Sequence, residues 1–223
     1  MVTTGGEQGI ELACKALCNP GDAVLCEEPS FIGALNSFRS LGAVPVGVPM
    51  DADGINVEAF EEAAVRTGAR LAYLIPTFQN PSGITMSAEK RRAVYEIACR
   101  RSIIIIEDNP YGELRFAGSG VDTIKSIDRE GAVIYCSSFS KILAPGIRIG
   151  FVQAPIAVIS KMVVAKQVED VHTPMLTQML AYAFMQSGTM DEHIRSAAEL
   201  YGKKCALMLS RLDRCMPEQV SYT

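Results

Sequence analysis

Residues 137–150, Ser-Ser-Phe-Ser-Lys-Ile-Leu-Ala-Pro-Gly-Ile-Arg-Ile-Gly, place the hydroxyls of Ser138 and Ser140, the amine of Lys141 and the guanidinium of Arg148 in a short turn after an apolar strand. Hydroxyls and a guanidinium are good ligands for a dianionic phosphate. A lysine held beside them can form an imine with an aldehyde. Phosphate ligation together with an imine-forming lysine is what pyridoxal 5'-phosphate (PLP) requires. An unpaired buried guanidinium costs on the order of several kcal/mol. Arg148, set among Gly146, Ile147, Ile149 and Gly150, is therefore expected to be buried against an anion, a phosphate or an acid elsewhere in the sheet.

Two further segments extend this chemistry. Ile103-Ile104-Ile105-Ile106 reads as a buried strand that ends in Glu107-Asp108-Asn109-Pro110-Tyr111, with Asp108 lying 33 positions before Lys141. A carboxylate beside a pyridine nitrogen keeps that nitrogen protonated, and a protonated ring can accept the electron pair left when a substrate Cα–H bond breaks. Strand alternation puts Glu107 and Asp108 on opposite faces, so the residues alone leave either as the candidate. Pro76-Thr77-Phe78-Gln79-Asn80-Pro81-Ser82-Gly83 is a turn-forming loop, and Gly5-Gly6-Glu7-Gln8-Gly9 opens a helix whose free N–H groups and dipole favour a phosphate. Each residue also has a plainer reading: Phe31 as a core aromatic, Asn80 as a turn asparagine, Tyr111 as a strand-end tyrosine, Lys141 as a solvated lysine.

Taken together and in this order, the lysine segment, the Glu107-Asp108-Asn109-Pro110-Tyr111 strand end and the Asn80-Pro81-Ser82-Gly83 loop resemble the fold-type I PLP enzymes of the aminotransferase class I/II family, in particular its aromatic and 2-aminoadipate branch. The resemblance implies roles. Lys141 would hold the cofactor as an imine and then shuttle the proton at the substrate Cα. It selects Asp108 over Glu107 as the partner of the ring nitrogen. Asn80 and Tyr111 would bind the ring's phenolic oxygen, and Phe31 would stack on the ring. Backbone amides of Gly6 and Glu7, with Ser138, Ser140 and Arg148, would hold the phosphate; relatives often carry Ser or Ala where Gly6 stands, so a hydroxyl contact is lost here. Lys141, Asp108 and Tyr111 are the catalytic candidates.

The implied activity is amino transfer between an amino acid and a 2-oxo acid. The alternatives are a PLP-dependent β-lyase and a non-catalytic PLP-binding domain. Residues 1–223 would correspond to the PLP-binding large domain alone, without the family's N-terminal arm and C-terminal small domain, and the complete protein would be a homodimer. Ser138-Phe139-Ser140-Lys141 also fits the Ser-x-x-Lys motif of penicillin-binding hydrolases, but the companion Ser-Asp-Asn and Lys-Thr-Gly motifs are absent from the sequence.

These residues need a scaffold, and the pattern supplies one. Strands are expected at residues 2–4, 23–26, 44–48, 71–75, 103–106, 133–136 and 149–153. Helices alternate with them: one opened by residues 5–9 and running to 17, then 31–41, 57–66 and 87–101, the last with Lys90, Arg91 and Arg92 on its wet side. The chain from 157 onward is mainly helical and ends in a long helix from Met190 to Arg214. This is a three-layer α/β fold with a mostly parallel, seven-stranded sheet and helices on both faces. Ligands in such sheets sit at the carboxyl ends of the strands, where the glycine turn, Asn80, Asp108 and Lys141 all fall. Hydrophobic residues make up 48% of the 223, and 21 basic against 25 acidic residues give a net charge of −4. With no basic block, nucleic-acid binding is not expected. No apolar run reaches membrane-spanning length, and no signal-peptide pattern precedes the first strand. Seven cysteines without a CxxC pair read as reduced thiols in the cytoplasm, and Cys14 and Cys18 as thiols rather than metal ligands.

Overall fold

The computed structural model describes residues 1–217, 219 and 220. Eight strands form one sheet: β1 (Val2–Thr3), β2 (Ala23–Glu28), β3 (Val44–Asp51), β4 (Gly54–Ile55), β5 (Leu71–Leu74), β6 (Ile104–Asp108), β7 (Val133–Ser138) and β8 (Gly150–Gln153). Their spatial order is β1-β8-β7-β6-β5-β2-β3-β4. Strands β3, β2, β5, β6 and β7 run parallel, while β8 is antiparallel to both β7 and the edge strand β1. The seven expected strands are all present. The eighth, β4, is a two-residue return of β3 (Met50 pairs with Ile55) that is too short to leave a periodic signal.

The chain winds outward from β2 to β3, then returns across β2 to β5 and continues the other way through β6 and β7. Side chains alternate cleanly across these strands. Leu25, Ala72, Leu74, Ile105 and Val133 pack against α3 (Val57–Thr67), α4 (Ala88–Arg101) and the short α5 (Ile124–Ile127). Val24, Cys26, Tyr73, Ile106, Ile134 and Cys136 pack on the other face against α1 (Gly6–Leu17), α2 (Ile32–Ser40) and α6 (Ile156–Glu169). A smaller cluster of Leu114, Phe139, Ile142, Ile149 and Ala181 roots the lysine segment against α7 (Met175–Gln186) and α8 (Met190–Cys215).

One expectation about α4 is overturned. Lys90 and Arg92 stay toward solvent, but Arg91 is 1% exposed. Its guanidinium donates to the carbonyls of Met86 (3.0 Å), Pro76 (2.7 Å) and Asp122 (3.1 Å) and to Thr77 Oγ1 (3.0 Å). The irregular chain after β5 leaves carbonyls without ladder partners, and a buried polar group must be satisfied. Arg91 supplies those donors and thereby fixes the loop that leads to Asn80.

Candidate active site

The alternation that builds the core also decides what faces the α1 side. Asp108 continues the phase of Ile106, and Ser138 that of Ile134 and Cys136, so both emerge at the carboxyl end of the sheet beside the start of α1. Glu107 has the phase of Ile105 and goes to the opposite face. There its two carboxylate oxygens accept from the backbone N–H groups of Ile124 (2.9 Å) and Lys125 (2.7 Å), tying down the start of α5. The two neighbouring acids are thus separated by the sheet itself.

A cavity of about 290 Å³ opens at this rim, and all ten residues singled out from the sequence line it: Gly6, Glu7, Phe31, Asn80, Asp108, Tyr111, Ser138, Ser140, Lys141 and Arg148. They come from the start of α1, the ends of β6 and β7 and the chain after β2 and β5.

At one end of the cavity, hydrogen-bond donors gather. Gly5, the residue before α1, has no capping side chain, and the Gly6 and Glu7 amides find no acceptor among the described residues. Gly5 sits at φ +90°, and a Cβ there would lie 2.3 Å from Arg148 Nη2, so only glycine lets the guanidinium close on this turn. Ser138 Oγ donates to Ser140 Oγ (2.8 Å) and accepts from the Ser140 N–H (2.9 Å), which folds the turn so that both hydroxyls face the helix start. Arg148 departs from the sequence expectation: it is exposed rather than buried, and its hydrogen bonds go to neutral oxygens, Thr4 O (3.1 Å), Ser140 Oγ and Pro145 O (both 3.4 Å). The residue adopts φ +51° after a 3-10 turn, which carries its side chain up and over the cavity instead of into the sheet. Its charge therefore faces the donor end without a carboxylate among those contacts. The Glu7 carboxyl, by contrast, is raised above its ordinary range by burial and accepts from Ser37 Oγ at 3.1 Å, which turns it away from this end.

At the floor stands Asp108, 5% exposed. Burial pushes its carboxyl up to about 7, against the opposing pull of a 2.7 Å hydrogen bond from Tyr73 OH to Oδ2. Tyr73 is not among the residues that the sequence motifs single out. A tyrosine inside an otherwise apolar strand, Leu71-Ala72-Tyr73-Leu74, needs a partner for its hydroxyl, and that signal was available. Along the wall, Asn80 Nδ2 donates to Tyr111 OH at 3.4 Å. The Tyr111 hydroxyl is raised by burial despite that bond. Phe31 lies across the cavity beside Gly33, where a Cβ would strike its ring at 2.5 Å. Lys141 is exposed at the mouth, and its amine makes no hydrogen bond or ion pair among the described residues.

The donor set is polarised: N–H groups, hydroxyls and a guanidinium at one end, a buried carboxyl at the other, an aromatic face and a free amine between. That arrangement fits a flat ring bearing an anionic phosphate and a protonatable ring nitrogen, with an aldehyde within reach of the amine.

Known proteins bear out the family. The family model described as aminotransferase class I and II matches residues 1–215. Aromatic-amino-acid aminotransferase 1 of Thermococcus litoralis is 40% identical over 228 residues, covering 100% of this chain and 55% of that protein. The crystal structure of Pyrococcus horikoshii kynurenine aminotransferase in complex with PMP superposes with a TM-score of 0.97 at 38% identity, covering 100% of this chain and 56% of that one. The α-aminoadipate aminotransferase of Thermus thermophilus, complexed with N-(5'-phosphopyridoxyl)-L-leucine, superposes with a TM-score of 0.95 at 37% identity, covering 100% and 58%. The chain spans about half the length of the curated relatives it matches.

Proposed function

This chain belongs to the aminotransferase class I and II family, and from that premise we propose that it binds PLP in the cavity at the strand ends and serves amino transfer between an amino acid and a 2-oxo acid. One observation carries the reading: ten residues scattered from Gly6 to Arg148 line a single cavity with the donor polarity the cofactor needs. The relatives named above are aminotransferases, and nothing in the cavity favours the lyase alternative.

PLP, when bound, supplies the aldehyde that takes up the amino group and the ring that accepts the Cα electron pair. The protein's residues do the rest. The Gly6 and Glu7 amides, Ser138, Ser140 and Arg148 hold the phosphate. Asp108, oriented by Tyr73, holds the proton on the ring nitrogen. Asn80 and Tyr111 donate to the phenolic oxygen, and Phe31 excludes water from one ring face. Lys141 would hold the cofactor through its amine and, with that amine free, would move the proton at the substrate Cα.

A second, apolar cavity of about 490 Å³ shares Tyr111 and Lys141 with the first and is walled by Phe78, Leu114, Phe116, Tyr201 and Met208. Its position beside the reacting amine supports a substrate with a large apolar or aromatic side chain. The reading includes a homodimer, with a second copy covering the exposed Met175, Leu176, Met179 and Tyr182 of α7. It also includes a cytoplasmic location, supported by seven unbridged cysteines. No helix among the described residues is long and apolar enough to cross a membrane.

The test is borohydride reduction of protein incubated with PLP, followed by peptide mapping. The tag is expected on Lys141. A tag on another lysine, or none, refutes the site.

A further inference from the structure

We propose that Lys166 and Asp170, neither of which lines the cavity, are positioning residues that pin the first turn of α1 from behind and so set the phosphate end of the site. The inference rests on the reading of that end as the phosphate site.

The start of α1 presents a structural problem. Among the described residues the Gly6 and Glu7 amides meet no acceptor, and the cap is a glycine. Such an end frays unless something else holds it, because the N–H groups of the first turn have no intrahelical acceptors. What holds it is a network reaching from the end of α6. Gln8 Oε1 accepts from the Thr4 N–H (2.8 Å) and from Lys166 Nζ (2.8 Å). Gln8 Nε2 donates to Asp170 Oδ2 (2.9 Å), and Thr4 Oγ1 donates to the same oxygen (2.9 Å). Lys166 Nζ bridges both carboxylate oxygens of Asp170, at 2.8 and 2.7 Å. Thr173 Oγ1, 1% exposed, lies 3.2 Å from Thr4 Oγ1.

Three features separate this from an ordinary helix-to-helix staple. First, Lys166 is 6% exposed, so its charge has been taken out of water where a surface pair would have cost less. Second, the bonds converge on Thr4 and Gln8, the residues that bracket Gly5, Gly6 and Glu7. Third, the Thr4 carbonyl accepts from Arg148 Nη2, so the residue held by Asp170 through its side chain holds the guanidinium through its backbone. Because Gly5 and Arg148 are in close contact, a shift of the turn by a few tenths of an ångström displaces the guanidinium directly. The chain that delivers these groups is itself strained: Val171, a β-branched residue, sits at φ +64° between Asp170 and Thr173, a conformation kept only where the surroundings enforce it.

A network of this kind acts on the phosphate donors and leaves the ring contacts alone, which gives a specific readout. Affinities for PLP and for pyridoxal, which lacks the phosphate, are to be measured for the wild-type chain, Lys166→Met and Asp170→Asn by titration of the cofactor absorbance. The wild-type chain is expected to prefer PLP. Each variant is expected to bind PLP about tenfold more weakly, the scale of disturbing one charge-assisted hydrogen bond, with pyridoxal affinity unchanged. In the cofactor-free Lys166→Met protein, hydrogen exchange at amides 4–8 should quicken while that of β6 stays as in the wild type. Equal weakening for both ligands, or unchanged PLP affinity, overturns the inference, as does unchanged exchange at amides 4–8. A wild-type chain that binds both ligands alike overturns the phosphate reading itself, and the inference with it. Asp170→Asn keeps shape and most hydrogen bonds, so it serves if Lys166→Met does not fold.

Discussion

Asp108→Asn should reshape the pH dependence of stability in the cofactor-free protein. Burial raises the Asp108 carboxyl from 3.8 to about 7. An acid raised in this way keeps its proton in the folded state to higher pH than in the unfolded chain. Between those two values the folded state binds more protons, so stability falls as pH rises through that window and stays low above it. A shift of about three pH units corresponds to about 4 kcal/mol. Asparagine retains the shape and can still accept from Tyr73, but it has no charge to bury. Its spare amide hydrogens impose a desolvation cost of about 1–3 kcal/mol at every pH, which cancels when the two proteins are compared across pH. The stability difference between Asp108→Asn and wild type should therefore move by about 4 kcal/mol in the variant's favour between pH 3.5 and pH 8. Glu27, also raised to about 7 by burial and by Asp108, relaxes in the same direction when that charge is removed. Urea unfolding at half-unit pH steps measures the difference directly. Parallel curves for the two proteins would show that Asp108 carries no such burden and would undo the account of its environment. A protonated ring nitrogen set opposite Asp108 supplies the counter-charge that the cavity floor lacks, so added PLP should stabilise wild type more than the variant at pH 8.

Asp108→Ala should slow the amino-transfer half-reaction of a complete enzyme at least ~10²-fold, the scale for losing a key electrostatic stabiliser, whereas Glu107→Ala should act on stability instead; stopped-flow absorbance on both, with near-normal rates for Asp108→Ala, would refute the assignment. Arg91→Met should destabilise the fold by about 3 kcal/mol, since it removes the buried donors that reach the Met86 and Pro76 carbonyls and Thr77 Oγ1, a loss read from urea midpoints. Phe116→Ala should lower kcat/KM for aromatic amino acids relative to alanine by roughly tenfold, the value of burying part of one aromatic side chain; an unchanged ratio in a coupled assay with 2-oxoglutarate would remove the second cavity from the substrate's path.

Local patterns in this chain were legible because they depend on near neighbours. The six longer strands follow from runs of β-branched and apolar residues, and the helix starts at Asn56 and Ser87 from side chains that accept from Ala59 and Lys90. The separation of Glu107 from Asp108 follows from alternation, although which of them faces the cavity required knowing which face α1 covers. Other features depended on contacts between distant segments. The pattern of α4 gives Lys90, Arg91 and Arg92 equal claim to solvent; Arg91 is drawn inward by carbonyls on a loop whose path no helical periodicity encodes. Arg148 looked buried among glycines and isoleucines, yet its left-handed backbone lifts it over the cavity. Tyr73 and Asp108 meet only because β5 and β6 are neighbours in the sheet. Lys166 and Asp170 reach Thr4 and Gln8 across more than 150 positions of sequence. Backbone periodicity is a property of a short stretch and survives in the sequence. The burial of a charge, the partner of a hydroxyl and the pKa of a carboxyl are set by what the fold brings against them, and only the tertiary structure decides that.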